Sequence, residues 1–371
     1  MISDSFLYPT WIEIDLNQFK NNLLHIKQMI GNNLLCLPVK ANAYGLGLIP
    51  IAKAALQAKV DYLAIACVQE AIALRQEKID IPILLLGTFF KEQIEELIFN
   101  NVEVTIASQA KAELLNEFCK KLNKKCKVHI EVDTGMGRTG MKPDTTLSFL
   151  KNIKSFPFLR IKGIYSHFAN ADIPNHISTY EQYDKFQTLL NNIENKNRLI
   201  IHIANSGAIE NYPDFLKSTD MVRPGILCFG HTSTHKKIKS CISLKSKISF
   251  FKVIKKGFKV SYGHTYTAQE DTRLVTVPIG YGDGYRRILS NKASVLIHGK
   301  RYNIVGNICM DQLMVDIKQD EAHVGDEVVL IGKQQNEEIT LEEIAKLCNT
   351  IPYEILCNFT TSSRVYKKYI D

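Results

Sequence analysis

Leu34-Leu35-Cys36-Leu37-Pro38-Val39-Lys40-Ala41-Asn42-Ala43-Tyr44-Gly45 opens with a strand-length run of uncharged residues and closes on a lysine and a glycine-ended turn. A short apolar run followed by an amphipathic stretch, here Ile49 to Ala58, is the pattern of a strand buried on both faces and the helix covering it. The pattern repeats. Runs at Asp61 to Cys67, Ile81 to Gly87, Val102 to Ile106, Lys127 to Val132, Arg160 to Ser166, Leu199 to Ala204 and Ser218 to Val222 bring the number to eight. Helical patterning fills most gaps, at Gln69 to Gln76, Lys91 to Ile98, Gln109 to Leu122, Thr146 to Ile153 and Thr179 to Ile193. Eight β/α units in about two hundred residues predict an α/β chain with a closed (β/α)8, TIM-like barrel rather than an open doubly wound sheet.

On either side the texture differs. Thr10 to Leu16 reads as a strand and Asn17 to Ile30 as a helix. Beyond about Cys241, strand-like runs separated by Gly, Asn, Asp or Lys turns take over: Ile242 to Val253, Lys259 to Tyr262, Arg273 to Ile279, Ala293 to Ile297, Tyr302 to Ile308, Gln312 to Ile317 and Glu327 to Ile331. Only Thr340 to Leu347 reads there as a helix, with Thr340 and Glu343 forming a capping box. The expected organisation is a barrel over 1–240 followed by a mostly β domain over 241–371, with the opening strand at about 10–16 open to joining the second unit. A chain of 371 residues accommodates both at roughly 150 residues per domain.

Composition excludes several classes. Hydrophobic residues at 45% and charged residues at 23% fit a globular enzyme and not a disordered or fibrous chain. No apolar run approaches the roughly 20 residues that span a bilayer. The N-terminus lacks a basic and apolar leader, so a cytoplasmic location is expected. The nine cysteines contain no Cys-x-x-Cys pair, which argues for reduced, mostly buried thiols and against a disulfide framework or any metal site. The net charge of +8 gathers partly at Lys120 to Lys127 and Lys236 to Lys239. Without an aromatic platform, these runs fit solvated surface better than a nucleic-acid partner.

In a barrel of this kind the chemistry sits where the strands end. The first strand delivers Lys40, either snorkelling or buried for use as a Schiff-base amine. The fifth leads into Glu131-Val-Asp133-Thr-Gly-Met-Gly-Arg138, a Gly-rich loop that either presents a guanidinium to a carboxylate or is merely a turn. The sixth delivers His167, the seventh Asn205-Ser206-Gly207, and the eighth Arg223-Pro224-Gly225-Ile226. The last two loops are the common phosphate site of the fold. An amine, a guanidinium, an imidazole and a phosphate cup at one mouth suit a phosphorylated aldehyde that captures amines, pyridoxal phosphate.

These motifs, with Tyr165-Ser-His167-Phe, Val260-Ser-Tyr262-Gly, Gly280-Tyr281-Gly-Asp283-Gly and Ile308-Cys309-Met310-Asp311-Gln312, occur in an order that resembles the bacterial alanine racemases over essentially the whole chain. The resemblance implies an isomerase that interconverts L- and D-alanine on pyridoxal phosphate, supplies D-alanine for peptidoglycan, and works as a homodimer with shared active sites. By that resemblance Lys40 holds the cofactor and acts as one base, and Tyr262, arriving from the other subunit, is the second. Arg138 orients that tyrosine and the substrate carboxylate, with Met310 nearby. Tyr44, Ser206, Gly225 and Ile226 bind phosphate; Arg223 faces the pyridine nitrogen, and His167 links it to Tyr262. Tyr281, Asp283 and Asp311 belong to the surroundings. Two bases on opposite faces are the simplest way to take a proton from one side and return one to the other.

Two positions depart from the family pattern. Glu131 stands where many relatives carry a carbamylated lysine paired with the arginine matching Arg138, and is expected to supply that negative charge itself. Ser363 falls at the expected place of a phosphate-binding tyrosine, so weaker cofactor retention is expected, with Tyr366 as a substitute. The rival readings are a barrel-type pyridoxal phosphate decarboxylase, disfavoured by Arg223 where an acidic residue would stand; a non-catalytic cofactor carrier, which has no use for Tyr262; and a hydrolase with a structural Lys40.

Overall fold

The eight apolar runs become eight parallel strands that close in chain order. The computed structural model describes residues 7–232, 234–235, 237–359 and 362–371. After β1 (Trp11–Asp15), the barrel comprises β2 (Leu34–Pro38), β3 (Tyr62–Ile65), β4 (Ile83–Leu85), β5 (Val102–Ile106), β6 (Cys126–Glu131), β7 (Leu159–Tyr165), β8 (Ile200–Asn205) and β9 (Met221–Arg223). β9 returns to pair with β2, through Leu34 with Met221 and Leu35 with Val222. The last strand is shorter than its run suggests, because Pro213–Ser218 is a 3-10 helix.

Helices pack outside by amphipathic spacing. In Leu16–Ile30, Phe19, Leu23, Ile26 and Ile30 are buried, and the Asp15 carboxylate caps the first turn by accepting from the Gln18 amide. Such a cap contributes about 1 kcal/mol.

β1 stays out of the barrel. It lies between β10 (Ile242–Lys247), antiparallel, and the C-terminal strand Tyr366–Ile370, parallel. The rest of that sheet is β11 (Phe250–Ile254), β14 (Thr272–Val277), β15 (Ser294–Ile297), β16 (Lys300–Ile304), β17 (Leu313–Asp316), β18 (Glu327–Gln334) and, on its margin, β19 (Glu337–Ile339). A two-stranded ribbon, β12 (Lys259–Val260) with β13 (Tyr266–Thr267), projects from it. The run Ile242 to Val253 is two strands, since the Ile248 amide turns to the Asp326 carbonyl and the Ser249 amide to the Thr276 carbonyl. A second helix that the sequence pattern did not expose, Pro352–Asn358, follows the capped helix Leu341–Leu347. It has no side-chain cap and begins instead with proline, whose fixed φ suits a first helical turn. Among the described residues no helix is long and apolar enough to cross a membrane.

Candidate active site

Lys40 follows β2, and there the backbone leaves its usual hand. Ala41, Asn42, Ala43 and Tyr44 all have φ between 53° and 56°, one turn of left-handed helix without a glycine in it. Each such residue costs roughly 1–2 kcal/mol, so its surroundings must hold it. The Gly45 amide donates to Ala41 O at 2.8 Å and the Gly47 amide to Asn42 O at 2.9 Å. The Asn42 side chain accepts from the Leu48 amide at 2.7 Å, and Tyr369 from the C-terminal strand donates to Leu46 O at 2.8 Å. The turn carries Tyr44 into the barrel mouth. Burial, then the charges of Arg138 and Arg223, push the Lys40 amine below its ordinary pKa, favouring the neutral, nucleophilic form.

Arg223 closes β9 and is buried. Nη2 donates to Ser166 O at 2.7 Å and to His167 Nδ1 at 3.2 Å, Nη1 donates to His202 Nδ1, and the guanidinium lies 5.0 Å from the Tyr165 ring centre. Burial and the charges of Arg223, Arg138 and Lys40 depress His167 to about 3. His167 is therefore neutral, with its proton on Nε2.

The phosphate cup is assembled from four elements, one of them the turn that carries Tyr44. Ser206 starts the short helix after β8, and its Oγ accepts from the Gly225 amide at 2.8 Å. Ile226 opens the following 3-10 turn. The Tyr353 hydroxyl reaches Ser206 and the Ile226 backbone, and its ring lies 5.8 Å from that of Tyr44. A Cβ at Gly225 would fall 2.5 Å from Tyr44 Oη, so the close approach requires glycine. Two buried hydroxyls, a serine and main-chain amides around a glycine form a neutral cradle for a phosphate.

Tyr353 was missed in the sequence because its helix was missed, and Pro352 was the available signal. Ser363 does not take this place. It is exposed in a turn, and Tyr366 stacks on Tyr8 at 5.6 Å, in the second sheet. The tyrosine hydroxyl at the cup is therefore that of Tyr353, and neither Ser363 nor the expected substitute Tyr366 stands beside it. Thr361, in the same motif, lies outside the described residues. Cys357 is a further unpredicted neighbour of Lys40, close enough for the two charges to influence one another.

Glu131 ends β6 and is buried. Burial raises its pKa, while a hydrogen bond from Thr139 and the charge of Arg138 oppose the rise. Thr139, not Arg138, is its hydrogen-bond donor. The loop to Arg138 turns on Gly135 and Gly137, at φ 141° and 68°, whose amides donate to Asp133 Oδ1 at 2.9 and 3.1 Å. Arg138 itself is exposed.

The remaining predicted residues lie elsewhere in the chain, on the β domain. Tyr262 sits in the turn between β12 and β13 and is 72% exposed; Met310 is 59% and Tyr281 43% exposed. The Tyr281 and Gly282 amides donate to Cys309 O and Met310 O at 3.1 and 2.8 Å, and Ser261 Oγ lies 3.5 Å from Cys309 Sγ. Tyr262, Tyr281, Met310 and the exposed Asp311 thus share one face. Asp283 serves the scaffold, accepting from the Gly280 amide at 3.0 Å and pairing with Arg364 at 2.9 Å. The cavity beside Tyr262 is lined by β-domain residues only, among them Phe258, Gly263 and Met314.

Comparison with known proteins agrees across the chain. Residues 14–233 match the alanine racemase N-terminal domain and residues 241–369 the alanine racemase C-terminal domain. An alanine racemase of Halothermothrix orenii is 40% identical, with 97% of each chain covered. The alanine racemase structure of Clostridium difficile 630 superposes with a TM-score of 0.87 at 38% identity, covering 94% of this chain and 93% of that one. That of Bartonella henselae, described with covalently bound pyridoxal phosphate, gives 0.89 at 32% identity, covering 98% and 99%. With its barrel and β domain both matched over nearly their full lengths, the chain belongs to the alanine racemase family and is an enzyme of the isomerase class.

Proposed function

We propose that the protein interconverts L- and D-alanine at the barrel mouth, with pyridoxal phosphate as cofactor, as a homodimer in which the partner subunit's Tyr262 completes each site. The observation that carries this reading is the convergence of Lys40, Arg223 and the Ser206–Gly225–Tyr353 cup on one mouth, while Tyr262 stands exposed on the other domain. The residues fit the cofactor: an amine for its aldehyde, a cradle that a Cβ would fill for its phosphate, and a buried cation for its ring nitrogen. When bound, the cofactor acidifies the substrate's α-proton.

The chain's residues then divide the work. Lys40, desolvated and flanked by cations, is shifted towards the neutral amine that serves as base on one face. Tyr262 addresses the opposite face. Arg138 grips the substrate carboxylate and orients the tyrosine beside it. Arg223, which does not surrender its proton, leaves the ring nitrogen without one and so favours quick return of a proton at the α-carbon. Met310, brought in with Tyr262, stands near the substrate carboxylate, and Tyr281 lines the entrance. Glu131 supplies a negative charge behind Arg138. D-alanine for peptidoglycan, made in the cytoplasm, is the role that the resemblance implies.

Mixing Lys40→Ala with Tyr262→Phe tests the shared site. Each variant alone should be inactive, whereas hybrid dimers should regain one wild-type site apiece, seen as α-proton exchange and D-alanine formation from L-alanine in deuterium oxide. No recovery from verified hybrids would place both bases on one chain. Release of carbon dioxide would favour a decarboxylase.

A further inference from the structure

A row of polar side chains runs through the barrel interior below Arg223. Glu103 on β5, His129 on β6 and His202 on β8 are all buried. Glu103 Oε2 lies 2.9 Å from His129 Nε2, His129 Nδ1 lies 2.8 Å from His202 Nε2, and His202 Nδ1 meets Arg223 Nη1. A guanidinium can only donate. His202 must therefore accept at Nδ1 and, when neutral, carry its proton on Nε2. That proton is given to His129 Nδ1, which leaves the His129 proton on Nε2, directed at the carboxylate. Every link then has one donor and one acceptor, with all donors pointing from Arg223 towards Glu103.

The charges agree with this order. Burial and Arg223 hold both imidazoles below their ordinary pKa, with a partial counterweight from Glu103 at His129. Against its own burial, Glu103 is kept ionised by the bond from His129 and by Lys127, 3.5 Å away. A neutral imidazole carries its proton on either nitrogen, so nothing in His202 alone fixes the order. Both ends impose it together: the guanidinium can only donate to His202 Nδ1, and an ionised carboxylate can only accept from His129 Nε2.

We propose that Glu103 and His129 are positioning residues for Arg223, fixing the proton on each imidazole so that His202 presents a bare Nδ1 and holds the guanidinium as a donor towards the cofactor's ring nitrogen. The proposal rests on the pyridoxal phosphate reading. His202, Ser166 and His167 take up three of the five N–H donors that a guanidinium has, leaving others for that nitrogen. Without Glu103, His129 has no acceptor for its Nε2 proton. Moving that proton to Nδ1 would drive a proton onto His202 Nδ1, opposite a group that cannot accept it.

The test uses the full chain, with and without cofactor, and reads histidine tautomers by nitrogen-15 NMR. Wild type should show unprotonated Nδ1 and protonated Nε2 at both His129 and His202. Glu103→Leu should lose this order, retain cofactor about tenfold less well, and shift the ring-nitrogen signal of labelled pyridoxal phosphate, which a merely structural role would not move. A proton on His202 Nδ1 in wild type overturns the proposal, as does a folded Glu103→Leu with wild-type tautomers and affinity. Should Glu103→Leu fail to fold, His129→Phe takes its place, and wild-type affinity beside unchanged His202 tautomers overturns the proposal. The tautomers are readable without cofactor, so a chain that bound none would refute the proposed function separately.

Discussion

The Gly225 amide donates to Ser206 Oγ at 2.8 Å, tying the loop after β9 to the helix start after β8. The same oxygen meets the Tyr353 hydroxyl, so one serine joins three elements of the cup. Ser206→Ala leaves two buried groups short of a partner, at about 1–2 kcal/mol. Affinity for pyridoxal phosphate, followed by titration of the cofactor-free protein, should fall roughly fivefold to thirtyfold. Undiminished affinity would remove phosphate from this cup.

Tyr353 and Ser363 give opposite expectations. Tyr353→Phe removes a hydroxyl within the cup and should weaken cofactor retention by a similar factor. Ser363→Tyr changes an exposed turn and should leave retention as it was. Tightening in Ser363→Tyr would show that the C-terminal loop reaches the cofactor after all.

The different legibility of these two residues has a physical cause. The barrel was readable because each strand is buried on both faces and covered by an amphipathic helix, a repeat that leaves a mark eight times over. Lys40, Arg223, Ser206 and Gly225 were readable as strand-end residues. Tyr353 was not, since the seven-residue helix Pro352–Asn358 is too short to show a period and is fixed by packing on the barrel mouth. The left-handed turn after Lys40 was equally hidden. Ala41 to Tyr44 contain no glycine, and their conformation is imposed by Asn42, Tyr369 and the strand ends. Glu103 and His129 looked like ordinary strand residues because alternation does not reveal which side chains meet across a closed barrel.

Glu131 should reveal its burial through pH. Its pKa is raised above 4.5 in the folded chain, so it favours the fold below the unfolded value and loses that contribution as pH rises through the folded one. Glu131→Gln should therefore melt higher than wild type at pH 7, with the gap narrowing near pH 4. Racemisation should slow while the cofactor spectrum stays the same. A variant as active as wild type would remove Glu131 from the site.

Asp316 should show the reverse. This buried carboxylate accepts from Tyr266 Oη at 2.7 Å, the Lys318 amide at 2.9 Å and Thr272 Oγ1, and these bonds outweigh burial and lower its pKa. Its stabilisation is present above about 3.8 and fades as pH falls through the lower, folded value. Asp316→Asn should cost about 1–3 kcal/mol at pH 7 and flatten the acid side of the stability curve in denaturant titrations. Because Tyr266 belongs to the ribbon that carries Tyr262, kcat should suffer more than cofactor binding. Equal loss of both would mean that the ribbon does not depend on this carboxylate.

The reversed coil after Lys40 determines where the molecule breathes. Four residues kept in their mirror-image conformation are poised to relax, and only a handful of main-chain and side-chain bonds restrain them. Amide hydrogens at Ala43, Gly45 and Gly47 should exchange early, ahead of those in β2. A phosphate clasped by Tyr44 would draw the spring shut, so occupancy of the cup and tautness of this segment become one variable.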